Sequence, residues 1–150
     1  MSDLRDLYQE MILDHNRQPR NCYVMDCANR TADGHNPLCG DTVKVYLRID
    51  DGVIEEISFQ GSGCAICTAS TSLMTEAVKG KSVEQAKSLF HGFHHMLTGV
   101  AAEQGLELGK LRVFEGVREY PVRVKCATLA WHTLNSAMGS DGDDAPVTTE

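Results

Sequence analysis

Three cysteines stand where the chain changes character. Cys39 precedes Gly40-Asp41, Cys64 follows Gly61-Ser62-Gly63, and Cys126 follows Arg123-Val124-Lys125. Three thiolates and a carboxylate form a four-coordinate tetrahedral set that suits zinc, with sulfur at about 2.3 Å and oxygen at about 2.0–2.2 Å. Asp41 is the natural fourth ligand. Two residues from Cys39 on an extended chain, it points to the same side as that sulfur, and the glycine between them leaves the approach open. The other cysteines and the histidines read more plainly. Cys22 and Cys27 are expected to be semi-exposed thiols. Cys67, three residues after Cys64 and nearly on the same helix face, is a small buried residue or else a spare thiol. His94 and His95 are adjacent, so on a helix they point about 100° apart and make poor joint ligands. His132 reads as structural, and His35 stays an open candidate because it directly precedes Asn36-Pro37.

The elements that must position these residues follow from hydrophobic period. Leu4, Leu7, Tyr8 and Met11 recur at helical spacing behind Ser2, predicting an amphipathic helix to about Arg17 that Pro19 stops. Residues 22–37 show no period and predict an extended loop. Val43, Val45, Leu47 and Ile49 alternate with polar positions, and the alternation resumes after Asp50-Asp51-Gly52 through Ile57 and Phe59, predicting a β-hairpin with one buried face. A hairpin returns to its start, which makes Cys39 and Cys64 neighbours. A helix over 65–79 follows, with Gly80 as its stop, so Cys64 stands where strand gives way to helix. Ser82 and Gln85 form a capping box for the next helix. Another helix is expected over 93–104, residues 111–117 are ambiguous, and Pro121 starts the final segment, in which a helix of roughly four turns ends at Gly139 with Cys126 in its first turn. Thiolates at helix starts are favoured by free N–H groups and partial positive charge, a benefit expected for both Cys64 and Cys126. Strands early and helices late predict an α+β domain: a small antiparallel sheet with an N-terminal helix and several C-terminal helices packed on one face.

Composition narrows the partners. The chain has 150 residues, 42% of them hydrophobic, and a net charge of −7 with no basic run, which argues against a nucleic-acid partner. Asp141, Asp143, Asp144 and Glu150 mark 139–150 as an acidic disordered tail, leaving 1–138 as a single domain. The charged first twenty residues lack the apolar core of a signal peptide, and no apolar run reaches membrane-spanning length. A cytoplasmic protein is expected, where spaced cysteines bind metal or react rather than pair as disulfides. Nothing in the pattern argues for a permanent dimer, so a monomer that docks transiently is expected.

Four stretches, Leu7-Tyr8 through His15 to Pro19-Arg20-Asn21, Asn36-Pro37-Leu38-Cys39-Gly40-Asp41, Gly63-Cys64 through Ala69-Ser70, and Val124-Lys125-Cys126, carry a resemblance to a known family. With them the sequence resembles the U-type proteins of iron–sulfur cluster assembly that include IscU, NifU and SufU. The scaffold branch, which assembles a [2Fe–2S] cluster, has His immediately before the third cysteine. Here that position is Lys125, and the stretch between Cys64 and Cys126 is longer, so the resemblance points to the SufU branch. It implies zinc on Cys39, Asp41, Cys64 and Cys126, and transfer of a persulfide sulfur to Cys39 from a pyridoxal-phosphate cysteine desulfurase, with downstream assembly proteins as recipients. Arg123 and Lys125 are candidates to stabilise the persulfide anion through charge-assisted contacts. Two other functions fit the same ligands: a scaffold for a labile [2Fe–2S] cluster, and a binding module whose zinc is purely structural.

Overall fold

The computed structural model describes residues 2–37, 40–98, 109–139 and 147–148. Helix α1 (Ser2–Arg17) leads to strands β1 (Arg30–Asn36), β2 (Asp41–Asp50) and β3 (Val53–Ser62). Helices α2 (Ala65–Val78) and α3 (Val83–Thr98), 3-10 turns over Gly109–Glu119, helix α4 (Pro121–Gly139) and the short strand β4 (Val147–Thr148) follow. The sheet order is β3-β2-β1-β4, antiparallel through β1 to β3, with β4 parallel to β1. The fold is α+β, as the element order predicts.

The β2–β3 hairpin turns on Asp51 and Gly52, with φ of 51° and 75°. Positive φ at both central residues is what a two-residue turn matching the strand twist requires. Opposite pairs such as Val45 with Phe59 and Leu47 with Ile57 then stack on the buried face. The expected loop over 22–37 is partly wrong: Arg30–Asn36 is a strand paired to β2. Its buried side carries Ala32, Gly34 and Asn36, which have no hydrophobic signature. Small residues are needed there because α4 lies directly on the strand. A Cβ on Gly34 would stand 2.0 Å from Thr133 Oγ1. Of the expected acidic tail, Gly139 closes α4 and Val147–Thr148 pair with Gly34 and His35; the rest lies outside the described residues.

Helix α2 is buried along most of its length, including Cys67, Ser70, Ser72, Leu73 and Met74. Its hydroxyls bond to the surrounding elements. His15 at the end of α1 places Nδ1 2.7 Å from Ser72 Oγ and Nε2 3.6 Å from Glu76. The same hydroxyl accepts from the Arg20 N–H at 2.9 Å, and Asn21 Nδ2 donates to Thr75 Oγ1 at 3.0 Å. The Ser72 O–H donating to Nδ1 and the Nε2–H facing Glu76 satisfy the whole set. Ser72→Ala removes the hydroxyl from both contacts, the buried one to His15 and the part-buried one from Arg20, and should cost about 1–3 kcal/mol, measured by urea unfolding.

Helix α3 begins with the predicted capping box: Ser82 N–H to Gln85 Oε1 at 3.0 Å, Gln85 N–H to Ser82 Oγ at 3.1 Å. The separate helix expected over 93–104 is instead the continuation of α3 to Thr98, with 99–108 outside the described residues. The helix runs unbroken through Gly92 because Phe93, Met96 and Leu97 are buried under it. The ambiguous stretch 111–117 forms 3-10 turns that bury Leu111, Val113, Phe114 and Val117. Trp131 on α4 stacks on Phe93 at 5.0 Å.

At the α3–α4 seam His94 and His132 lie 5.9 Å apart between ring centroids. Burial, then the neighbouring histidines, lowers both pKa values: His95 and His91 act on His94, and His94 acts on His132. The unfolded chain therefore binds protons that the folded chain resists. Their neutral form stabilises the fold fully above about pH 6.5, and that contribution is lost as pH falls through 6.5 towards the lowered values. Urea unfolding at pH 7.5 and 5.5 should show this loss, and the His94→Gln/His132→Gln variant should lose less.

Candidate metal centre

Three elements meet at the site. Asp41 opens β2, directly opposite Asn36 at the end of β1. It is fully buried, and its Oδ1 accepts from the Cys64 N–H at 2.9 Å. Its Oδ2 lies 4.0 Å from Cys64 Sγ. This approach depends on Gly63, because a Cβ there would stand 2.5 Å from Asp41 Oδ1. A second close approach brings Gly61 against the Thr42 carbonyl, where a Cβ would stand 2.4 Å away.

Cys64 is the N-cap of α2, extended at φ −72° and ψ 168°, and its sulfur accepts from the Cys67 N–H at 3.4 Å. The sulfur therefore sits at the helix start, where the sequence places it, with a backbone donor directed at it. Cys126 is different. Helix α4 starts at Pro121, and the Val124 N–H already bonds to the Tyr120 carbonyl, so Cys126 lies in the second turn rather than the first. The residue is 2% exposed, and its sulfur takes a hydrogen bond from the Asn36 side-chain amide at 3.6 Å. Asn36 thus supplies the donor that the helix start does not. Its residue type carried no metal signal, and only its place opposite Asp41 in the ladder reveals the role. Ser70 Oγ donates to the Ala127 carbonyl at 2.5 Å and fixes α2 to α4 beside both cysteines.

The ligand atoms of Asp41, Cys64 and Cys126 all lie within 4.8 Å of one another. Donors on one tetrahedral zinc stand about 3.5–3.8 Å apart, so side-chain adjustment closes the set. The buried Asp41 carboxylate gives a second reason for the fit. Its charge is out of water, and a divalent cation shared with two thiolates supplies the compensation that burial demands. The chemistry of the donors therefore fits zinc. Leu38 and Cys39 lie outside the described residues. Gly40, next to Cys39 in sequence, has φ 72°, a left-handed conformation open to glycine.

The remaining candidates fall outside the cluster. Arg123 is exposed and stacks its guanidinium over the Tyr120 ring at 4.8 Å. Lys125 is half-buried beside Cys126. His35 alternates away from Asn36, onto the exposed face of β1. Cys67 is buried, while Cys22 and Cys27 are exposed. Among the described residues, no helix is long and apolar enough to cross a membrane.

The sequence matches the family described as NifU-like N terminal domain over residues 7–127. It is 36% identical over 140 residues to the zinc-dependent sulfurtransferase SufU of Bacillus subtilis (strain 168), covering 93% of this chain and 95% of that one. It is 39% identical over 138 residues to the iron–sulfur cluster assembly scaffold protein IscU of Streptococcus pyogenes serotype M1, covering 92% and 86%. A crystal structure from Fervidobacterium islandicum AW-1, assigned as a cluster assembly scaffold for the SUF system, superposes with a TM-score of 0.82 at 34% identity, covering 86% and 94%.

Proposed function

Because the chain belongs to the NifU-like N-terminal domain family and is a protein of iron–sulfur cluster assembly, we propose that it is a zinc-holding sulfur acceptor that takes persulfide sulfur onto Cys39. The convergence of Asp41, Cys64 and Cys126 within 4.8 Å carries this reading. These three, with Cys39 as the fourth ligand, would hold the ion. When bound, zinc would keep the thiolates deprotonated in a buried site. Lys125, where the scaffold branch carries His, supports the sulfur-acceptor branch, as does the zinc-dependent sulfurtransferase among the relatives.

In the transfer, the Cys39 thiolate attacks the outer sulfur of a cysteine desulfurase persulfide. The partner's S–S bond breaks, a new one forms on Cys39, and the partner's cysteine leaves as thiolate. The proton on the outer sulfur travels with it. Arg123, exposed and stacked on an aromatic ring, can turn to stabilise a persulfide anion, and Lys125 stands one residue from Cys126. The working unit is the single domain 1–138, acting in the cytoplasm with a pyridoxal-phosphate cysteine desulfurase and with downstream assembly proteins.

Metal analysis of the aerobically and the anaerobically purified protein, paired with desulfurase turnover, tests this. About one zinc per chain with stimulated turnover is the expected result. Iron and sulfide in the anaerobic protein, with no stimulation, would overturn it in favour of a [2Fe–2S] scaffold, the function named for the Streptococcus pyogenes relative. Zinc without stimulation would leave a structural site.

A further inference from the structure

A second group of metal-ligating side chains lies outside the cysteine centre. Helix α3 carries His91, His94 and His95, and α4 brings His132 against them. Relative to His91, a helical position four residues on lies about 40° round the axis and one three residues on about 60° the other way. His91, His94 and His95 therefore share one face, although His94 and His95 considered alone diverge. Ring centroids are 6.4 Å apart for His91 and His95 and 6.5 Å for His94 and His95. Phe90 packs beneath the group, 5.9 Å from His91, 6.0 Å from His94 and 5.1 Å from His132.

We propose that this face binds a late first-row divalent cation, with His91 and His95 as the chelating pair and His94 as the third imidazole. Two histidines at i and i+4 on a helix point the same way and form a chelate that needs no backbone change. Imidazole suits zinc, cobalt, nickel and copper ions. Two imidazoles on one tetrahedral ion have centroids about 5 Å apart, and rotation of the exposed His91 and half-buried His95 rings closes the difference. The electrostatics agree with the geometry. A histidine binds metal in its neutral form, and burial with neighbouring imidazoles already holds His94 towards that form. The site is distinct from the cysteine centre. His132, behind the group, is six residues beyond Cys126 on α4, about 9 Å along the helix axis.

The untagged full chain, loaded with zinc and freed of excess, is titrated with Co2+ by calorimetry and visible absorption. The expected result is an additional bound equivalent with ligand-field bands but no thiolate-to-cobalt charge transfer, weakening as pH falls below the histidine range. Affinity should drop by an order of magnitude in His91→Gln/His95→Gln and measurably in His94→Gln, with unchanged circular dichroism. The same event should persist in Cys64→Ser, which removes a ligand of the cysteine centre. Absence of an additional equivalent, sulfur charge transfer throughout, or wild-type affinity in either histidine variant would overturn the assignment.

Discussion

Cys39→Ala should reduce stimulation of a cysteine desulfurase to the turnover of the desulfurase alone, while leaving the fold intact. Asp41, Cys64 and Cys126 come from three separate elements and converge without Cys39. Each is held by its own support: the Cys64 N–H on Asp41, the helix start on Cys64, and the Asn36 amide on Cys126. Zinc can therefore stay in the variant on three ligands and a water, with lowered affinity, because an open fourth position is an ordinary zinc arrangement. Loss of stimulation with metal and melting temperature largely kept would identify Cys39 as the sulfur acceptor. Stimulation at the wild-type level would remove it from that role. A collapse of folding in the variant would instead make Cys39 a structural ligand, and the same comparison with Cys39→Ser would show whether a short polar side chain restores stability without activity.

Gly63→Ala is expected to damage the centre more than any other change of a single methyl group. The added carbon would stand 2.5 Å from Asp41 Oδ1, 3.1 Å from its Cγ and 3.2 Å from its Cβ. Asp41 has little room to yield, since it is fully buried and paired in the ladder opposite Asn36. Either the carboxylate turns away and releases the Cys64 N–H, or the β3–α2 junction shifts and moves the Cys64 sulfur. Overpacking of this kind costs about 1–3 kcal/mol. Displacing a ligand or its support lowers metal affinity by about 10–100-fold. Competition with a chromophoric chelator measures the second effect and urea unfolding the first. Gly80→Ala provides a contrast, because its φ of 81° adds backbone strain while nothing lies within 4 Å of the new carbon. It should cost stability alone and leave metal affinity unchanged.

Much of the site was legible because its residues are chemically distinctive and its elements are strongly patterned. The β2–β3 alternation, the capping box at Ser82 and the strand-to-helix position of Cys64 all follow from local rules, and the structure reproduces them. What stayed hidden depends on contacts between distant segments. Strand β1 carries Ala32, Gly34 and Asn36 on its inner side because α4 presses against it, so tertiary crowding erased the period that marks a strand. The start of α4 at Pro121 moved Cys126 one turn deeper and transferred support of its sulfur to Asn36, a residue of another element. Gly92 and the adjacent histidines weakened the helix signal over α3, yet the buried Phe93 and Leu97 carry the helix through them. Among the described residues, the matching stretch ending in Pro19-Arg20-Asn21 bonds to α2 rather than to Asp41, Cys64 or Cys126. It ties α1 to the helix that bears Cys64.

The three converging side chains sit at the head of β2, the cap of α2 and the second turn of α4, far apart along the chain. Bringing them together requires closing long loops, whose entropy must be overcome before any coordinate bond can repay it. The unfolded chain therefore offers an ion no preassembled pocket, and zinc held by these side chains would act chiefly as a ligand of the native state. Its effect should appear in the unfolding limb of a chevron plot: saturating zinc slows unfolding and leaves the refolding rate nearly unchanged. Persistence of the folded protein would then be set by metal supply, with chelation shortening its lifetime without altering the route by which it folds.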